Sequence, residues 1–277
     1  MAENEFTRTA FDGKKLFFRC WSTETRSKGL ICLVHGLGEH SGRYTQWSEM
    51  LNKAGYNVLS YDLRGHGKSS GKRGHVSSFL DYVRDTDILV EEGVKKFPGM
   101  PSFLYGHSLG GIIVVNYVLR RKPKLNGVVI TALSNRSSLQ EQKAKVIFVK
   151  ILGAILPGLS MSSGLVPATI SRDPGVVNRY IEDPLVHHQV SLAWGKSALE
   201  TITWIDQHAN EWSLPVLFMH GEKDALGFPE GSREYSSKIK GDCNLKIWPE
   251  LFHEIHNEPE KQEVFDYLLI WLNAHLL

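Results

Sequence analysis

The chain has 277 residues, 42% hydrophobic and 22% charged, with 32 Lys+Arg against 30 Asp+Glu. This is the composition of a folded globular protein, long enough to bury a core without disulfides or metal, and it excludes disorder as the dominant state. A formal charge of +2, with no run of like charges, excludes general attraction to nucleic acid or to an anionic membrane.

The N-terminus is polar and lacks a basic stretch followed by an apolar one, so no secretory signal is expected. Residues 6–21 read as an antiparallel hairpin around Asp12-Gly13, a strong turn dipeptide. Residues 29–34 (GLICLV) form the first buried strand, 44–54 a helix, and 57–61 (NVLSY) the next strand. Residues 77–97 carry Phe79, Val83, Leu89, Val90 and Val94 at helical spacing. A strand at 102–105, a helix at 110–120 and a strand at 127–131 (GVVIT) follow, then strands at 215–219 and 245–248 and a helix at 263–272. Short continuous apolar strands alternating with helices indicate an α/β fold with a mostly parallel sheet covered on both faces. Between 135 and 212 the alternation stops, and no strand is expected there. The chain therefore divides into an α/β core, 1–134 with 213–277, and a helical insertion, 135–212. The apolar run 146–157 (VIFVKILGAILP) lies in that insertion, broken by Lys150 and shorter than the ~20 residues that span a bilayer. Cys20, Cys32 and Cys243 are scattered without a CxxC, which points to reduced thiols and a cytoplasmic setting.

Gly106-His-Ser-Leu-Gly110 fits G-x-S-x-G, and so does Gly67-Lys-Ser-Ser-Gly71. Context separates them: only the first has a strand before it and a helix after it, the sharp turn that exposes a nucleophilic hydroxyl. Ser108 is the candidate nucleophile. A serine hydroxyl needs a base, and the base needs an acid. His253, in a loop after strand 245–248, is the candidate base, with His256 and His275 as rivals. Asp224 follows strand 215–219 in His220-Gly-Glu-Lys-Asp224 and is the candidate acid, ahead of Glu222. Acyl transfer also requires donors for the developing oxyanion. The Leu109 amide follows the nucleophile, and the Leu37 amide lies in His35-Gly-Leu-Gly38, directly after the first buried strand. Residues 62–69 (DLRGHGKS) lack the spacing of a phosphate loop and read as a structural turn. The pairs His187-His188 and His253/His256 lack the third ligand of a metal site, so no metal is expected.

With these residues in view, the chain resembles the α/β-hydrolases, and among them the monoacylglycerol lipases and related lysophospholipases. The resemblance runs over nearly the whole sequence. It is carried by His35-Gly-Leu-Gly-Glu-His-Ser-Gly-Arg-Tyr44, by residues 62–69, by Gly106-His-Ser-Leu-Gly-Gly111, by Asp183-Pro-Leu185 and by His253-Glu-Ile-His256. It implies an α/β-hydrolase fold with a helical cap, a serine hydrolase that cleaves one acyl chain from glycerol, and no cofactor. Ser108, Asp224 and His253 match the family's triad, Leu37 and Leu109 its oxyanion donors, and Glu39, Arg43 and His256 its polar residues around the glycerol head. The implied partner is a monoacylglycerol or a related single-chain lipid ester, with a lysophospholipase or broad carboxylesterase as the alternative activity. After strand 127–131 the family tends to carry Ser-Pro, whereas this chain has Ala132-Leu-Ser-Asn135. The apolar run, with Leu159 and Met161, is expected to let the cap touch a membrane peripherally, with Lys143, Lys145 and Lys150 at the head groups.

Overall fold

A computed structural model of the chain describes residues 2–24, 26–137 and 143–277, leaving the side chains at 2, 3, 143–145, 148 and 150 undescribed. The expected hairpin is formed by β1 (Ala2–Thr9) and β2 (Lys15–Ser22), turning at Gly13 with φ 81°. Then come β3 (Gly29–Val34), α1 (Thr45–Lys53), β4 (Tyr56–Tyr61), α2 (Phe79–Lys96), β5 (Ser102–His107), α3 (Leu109–Arg121) and β6 (Gly127–Thr131). The stretch up to 212 carries α4 (Lys143–Ile155), β7 (Ser160–Ser162), α5 (Pro174–Glu182), β8 (Gln189–Ser191) and α6 (Leu192–Gln207). The chain closes with β9 (Val216–Gly221), α7 (Pro229–Ser237), β10 (Cys243–Trp248) and α8 (Lys261–Ala274).

Eight strands form one sheet in the order β1-β2-β4-β3-β5-β6-β9-β10. The pairs β1/β2 and β2/β4 are antiparallel, and the remaining neighbours are parallel. The alternating faces of β3 explain its unbroken apolar run. Leu30, Cys32 and Val34 pack toward α2 and α3, while Ile31 and Leu33 pack toward α1 and α8. After β3 the chain goes first to one side, as β4, and then to the other, as β5. Such a switch point opens a crevice beyond the carboxyl ends of the strands, where open α/β sheets bind ligands. The register Val34↔Gly106 brings the β3 and β5 exit loops out side by side.

Two features differ from expectation. The insertion does contain strands: β7 and β8 pair antiparallel with each other, outside the main sheet. Each spans three residues and is largely polar (SMS and QVS), too short to leave a periodic signal. Helix α7 was also absent from the sequence pattern, because PEGSREYSS offers almost no apolar stripe. Among the described residues, no helix is long and apolar enough to cross a membrane.

The segment leading into β8 is pinned to the core. His187 N–H donates to Gly38 O and Ser191 N–H to Gly74 O, both at 2.9 Å. His40 Nε2 lies 2.8 Å from Asp183 Oδ2. Gly38 and Gly74 both have positive φ, and a Cβ would come within 2.3 Å of His187 O and 1.8 Å of Gln189 O respectively. Gly74→Ala therefore meets both strain and collision, and it should cost ~1–3 kcal/mol in a urea unfolding titration. Unchanged stability would mean that this contact does not pin the segment.

Candidate active site

Ser108 joins β5 to α3 with φ 55° and ψ −115°, a backbone conformation that L-residues avoid unless the surroundings impose it. The neighbouring glycines make it possible. A Cβ on Gly106 would lie 2.5 Å from Gly110 O, and one on Gly110 would lie 2.1 Å from Val34 O. Ser108 N–H donates to Thr131 O at 2.9 Å, tying the turn to the end of β6. The second G-x-S-x-G copy has a structural job. Ser69 Oγ donates to Asp62 O at 2.5 Å and accepts from Phe17 N–H at 2.8 Å.

His253 comes from the loop after β10, and its Nε2 lies 2.9 Å from Ser108 Oγ. Its Nδ1 lies 2.6 Å from Asp224 Oδ2. Asp224 Oδ1 accepts from Leu226 N–H at 2.8 Å and Gly227 N–H at 3.0 Å. Sequence reasoning missed another partner: His220 Nε2 lies 2.9 Å from Asp224 Oδ2 and 2.8 Å from Gly227 O. Both neighbours are acceptors, so the His220 proton sits on Nε2, and Nδ1 accepts from Ser232 O–H at 2.7 Å. Only its place at the buried end of β9, four residues before Asp224, hinted at this role. The rivals fall elsewhere: Glu222 pairs with Arg233, and His275 with Asp242.

Burial alone would raise the Asp224 pKa, but the His253 charge and the bonds from both histidines outweigh it and hold the carboxyl below its ordinary range. Burial alone would likewise lower His253, yet the Asp224 carboxylate raises it above the ordinary histidine value. An imidazole held between an ionised acid and a serine hydroxyl is the arrangement that activates a serine.

The β3 exit turn supplies the other wall. Gly36 passes so close that a Cβ there would lie 3.3 Å from Ser108 Cβ. Its N–H donates to Glu39 Oε1 at 2.6 Å. His35 accepts from Leu63 N–H at Nε2 (2.9 Å) and donates from Nδ1 to Gly36 O (2.8 Å), which ties this turn to the β4 exit loop. Among the described residues the Leu37 N–H has no protein acceptor, and Leu109 opens α3, where an N–H has no intrahelical partner.

Glu39 and Arg43 were expected around the glycerol head, but the structure engages both with protein groups. Glu39 Oε1 also accepts from Tyr44 O–H at 2.8 Å, and Oε2 from Arg43 Nη1 at 2.7 Å. Arg43 then reaches both oxygens of Glu254, at 2.6 and 2.8 Å. Burial opposes the charge on Arg43, but Glu254 and Glu39 outweigh it and keep it protonated. His256 is different. It stacks on Tyr44 at 4.9 Å, and His107 lies between it and His253, with centroids 5.0 and 4.9 Å away. Both His256 nitrogens are buried without a partner among the described residues, and burial lowers its pKa to about 4. The buried hydroxyl of Tyr180, on α5, is unpartnered too, with Arg43 4.7 Å over its ring. The sequence had not marked Tyr180, because nothing near it in the chain is catalytic. No cluster of three metal-ligating side chains occurs among the described residues.

A family model described as serine aminopeptidase, S33, matches residues 25–260. A monoacylglycerol lipase of Mycolicibacterium smegmatis is 32% identical, covering 99% of this chain and 98% of that one. The chain is an α/β-hydrolase of the monoacylglycerol lipase family. The crystal structure of the Paleococcus ferrophilus monoacylglycerol lipase superposes with a TM-score of 0.86 at 40% identity, covering 94% of this chain and 99% of that one. An abhydrolase domain-containing protein of Dictyostelium discoideum is 31% identical over 96% of this chain, which spans 28% of that protein's length.

In this hydrolase His253 can act as a base only when neutral, so activity should fall as pH drops through its raised pKa. Asp224→Asn removes the anion that raises it. The acid limb of kcat/KM should then move to lower pH while kcat falls about ten-thousand-fold, the loss seen when a triad acid becomes an amide. A pH–rate profile with the limb unmoved would contradict this electrostatic coupling.

Proposed function

We propose that the chain hydrolyses monoacylglycerols to glycerol and a fatty acid through an acyl-enzyme on Ser108. Ser108 attacks the ester carbonyl as His253 takes its proton, and Asp224 stabilises the resulting imidazolium. The Leu37 and Leu109 amides hold the oxyanion. Glycerol leaves with the proton from His253, and water then releases the acid by the same steps.

The observation that carries the choice of substrate is the set of orphaned polar atoms. Buried polar groups are normally paired, and each exception calls for a reason. Both nitrogens of His256 and the hydroxyl of Tyr180 are such exceptions beside the triad. A monoacylglycerol brings two free hydroxyls that can donate and accept in turn. Glu39 and Arg43 serve this site from behind, by shaping the Gly36 turn. The closed network also bears on the alternatives. An aminopeptidase needs a free carboxylate for the substrate ammonium, and a lysophospholipase needs a free cation for the phosphodiester. Here Glu39 and Glu254 neutralise Arg43 instead.

The acyl chain is read as passing under a cap formed by residues 135–212 over a core of 1–134 and 213–277. Helix α4 has two faces. Val149 packs with Leu192 and Leu199, while Ile147, Ile151 and Ile155, one turn apart, are 58%, 56% and 66% exposed. Leu156, Leu159 and Met161 extend that apolar ridge. A ridge of this kind supports peripheral contact with a lipid surface. The side chains of Lys143, Lys145 and Lys150, expected at the head groups, lie outside the described residues.

Two measurements test these readings. Ser108→Ala should abolish both monoacylglycerol hydrolysis and labelling by a fluorophosphonate, and turnover in that variant would refute the mechanism. Ile151→Glu with Ile155→Glu should weaken binding to phosphatidylcholine vesicles at least about tenfold, since burying each isoleucine contributes ~1.5–3 kcal/mol. Hydrolysis of a short, dissolved ester should stay unchanged. Vesicle binding that survives the double change would place the membrane contact elsewhere.

A further inference from the structure

Ser134 lies just beyond β6, in Ala132-Leu-Ser-Asn135, where the sequence departs from the family pattern. Its Oγ stands 3.0 Å from Ser108 Oγ, and it donates to the Ala132 carbonyl at 3.2 Å. Two backbone features put it there. Ala132 has φ 49°, a conformation that L-residues hold only where surroundings impose it, and its N–H donates to Met219 O at 2.9 Å. Across the gap, Gly227 leaves room, since a Cβ there would lie 2.6 Å from Ser134 Oγ. The Gly227 N–H also holds Asp224 at 3.0 Å, so one turn both fixes the acid and makes space for a second hydroxyl.

We propose that Ser134 is a further catalytic residue, a hydroxyl donor to the nucleophilic oxygen of Ser108. This rests on the reading of Ser108 and His253 as nucleophile and base. Proton counting sets the direction. Ser108 has one proton, and when it attacks, that proton goes to His253 Nε2, 2.9 Å away. Ser108 Oγ is then the acceptor toward Ser134, whose proton turns from the Ala132 carbonyl to it. One lone pair of Oγ forms the bond to the acyl carbon while the other keeps the hydrogen bond from Ser134. In the acyl-enzyme, Oγ is an ester oxygen and a poor acceptor, so the Ser134 proton returns to Ala132 O. When water attacks the acyl carbon it gives its proton to His253, and the bond from Oγ to carbon then breaks. The departing oxygen regains the Ser134 hydrogen bond and takes its proton from His253. The Ser134 proton is returned in each half-reaction, only the water of hydrolysis is consumed, and the donor serves both half-reactions. A hydrogen bond to an oxygen gaining charge is stronger than one to a neutral oxygen.

The test compares Ser134→Ala and Ser134→Cys, the latter keeping bulk with only a weak donor. Fluorophosphonate labelling should slow about tenfold or more in both variants. With p-nitrophenyl butyrate, acylation and deacylation should slow alike, while KM and the melting temperature stay at wild-type values. Wild-type labelling rates in either variant overturn the proposal, and so does a loss of rate that tracks a loss of melting temperature. Ser108→Ala, run alongside, separates this from failure of the underlying reading: labelling that survives there removes Ser108 as nucleophile, whatever Ser134 does.

Discussion

The left-handed backbone at Ser108 is the constraint around which the site is built. It costs free energy of order 1–3 kcal/mol, and only over-determination by the surroundings sustains it. The surroundings come from the centre of the sheet. Gly110 presses against Val34 O, and Ser108 N–H reaches Thr131 O, so β3 and β6 grip the turn from either side of β5. Helix α3 leaves from the same point with eleven of its thirteen residues buried, which fixes the direction of its first amides. The strain is sustained because strands on both sides hold this turn by close backbone contacts and a hydrogen bond, so little can relax. The same geometry leaves the hydroxyl facing the crevice of the switch point.

Around that turn, buried polar groups fall into three kinds, and the kind tells the role. Asp224 is charged and saturated, with two histidines and two amides on its oxygens. A carboxylate so held stays ionised in a dry site, which a triad acid requires. Glu39, Arg43 and Glu254 form a closed network whose charges answer one another, and its outlet is the Gly36 amide of the turn after β3. Leaving any one of them unpaired would be costly, so the network shapes and stiffens the wall. His256 and Tyr180 make the third kind, buried and unsatisfied, and these are the groups with something left to offer a substrate.

How much of this was legible in the sequence follows the same division. The Ser108 turn depends on residues within two positions of it, so spacing sufficed. The order of serine, acid and histidine along the chain reflects strand order, and the three side chains do meet within hydrogen-bond reach. The network that holds Glu39 was not legible, because it is completed by a remote partner. Arg43 bonds Glu254, 211 positions further along, and no local pattern announces that pairing. His220 and Ser134 escaped notice for a similar reason. Ser134 meets Ser108 only because two turns converge, and His220 meets Asp224 only because the chain folds back after β9. The strand pair in the insertion and the polar helix α7 were hidden because neither presents enough apolar surface to leave a period.

The insertion is joined to the chemistry by more than proximity. The segment 183–191 bonds to Gly38 and Gly74 on one side and to His40 through Asp183 on the other. Gly38 closes the turn that carries the Leu37 amide, so whatever displaces this segment also displaces that amide. Tyr180 adds a second link, since it lies on α5 yet is placed by Arg43, the residue that anchors the turn from behind. The exposed ridge on α4 sits in the same insertion, packed through Val149 against Leu192, and Leu192 follows directly on Ser191. A contiguous set of packed and hydrogen-bonded residues therefore runs from the apolar surface to the turn after β3. The segment 183–191 completes that set through a few hydrogen bonds and glycine contacts, where the sheet is held by a continuous core.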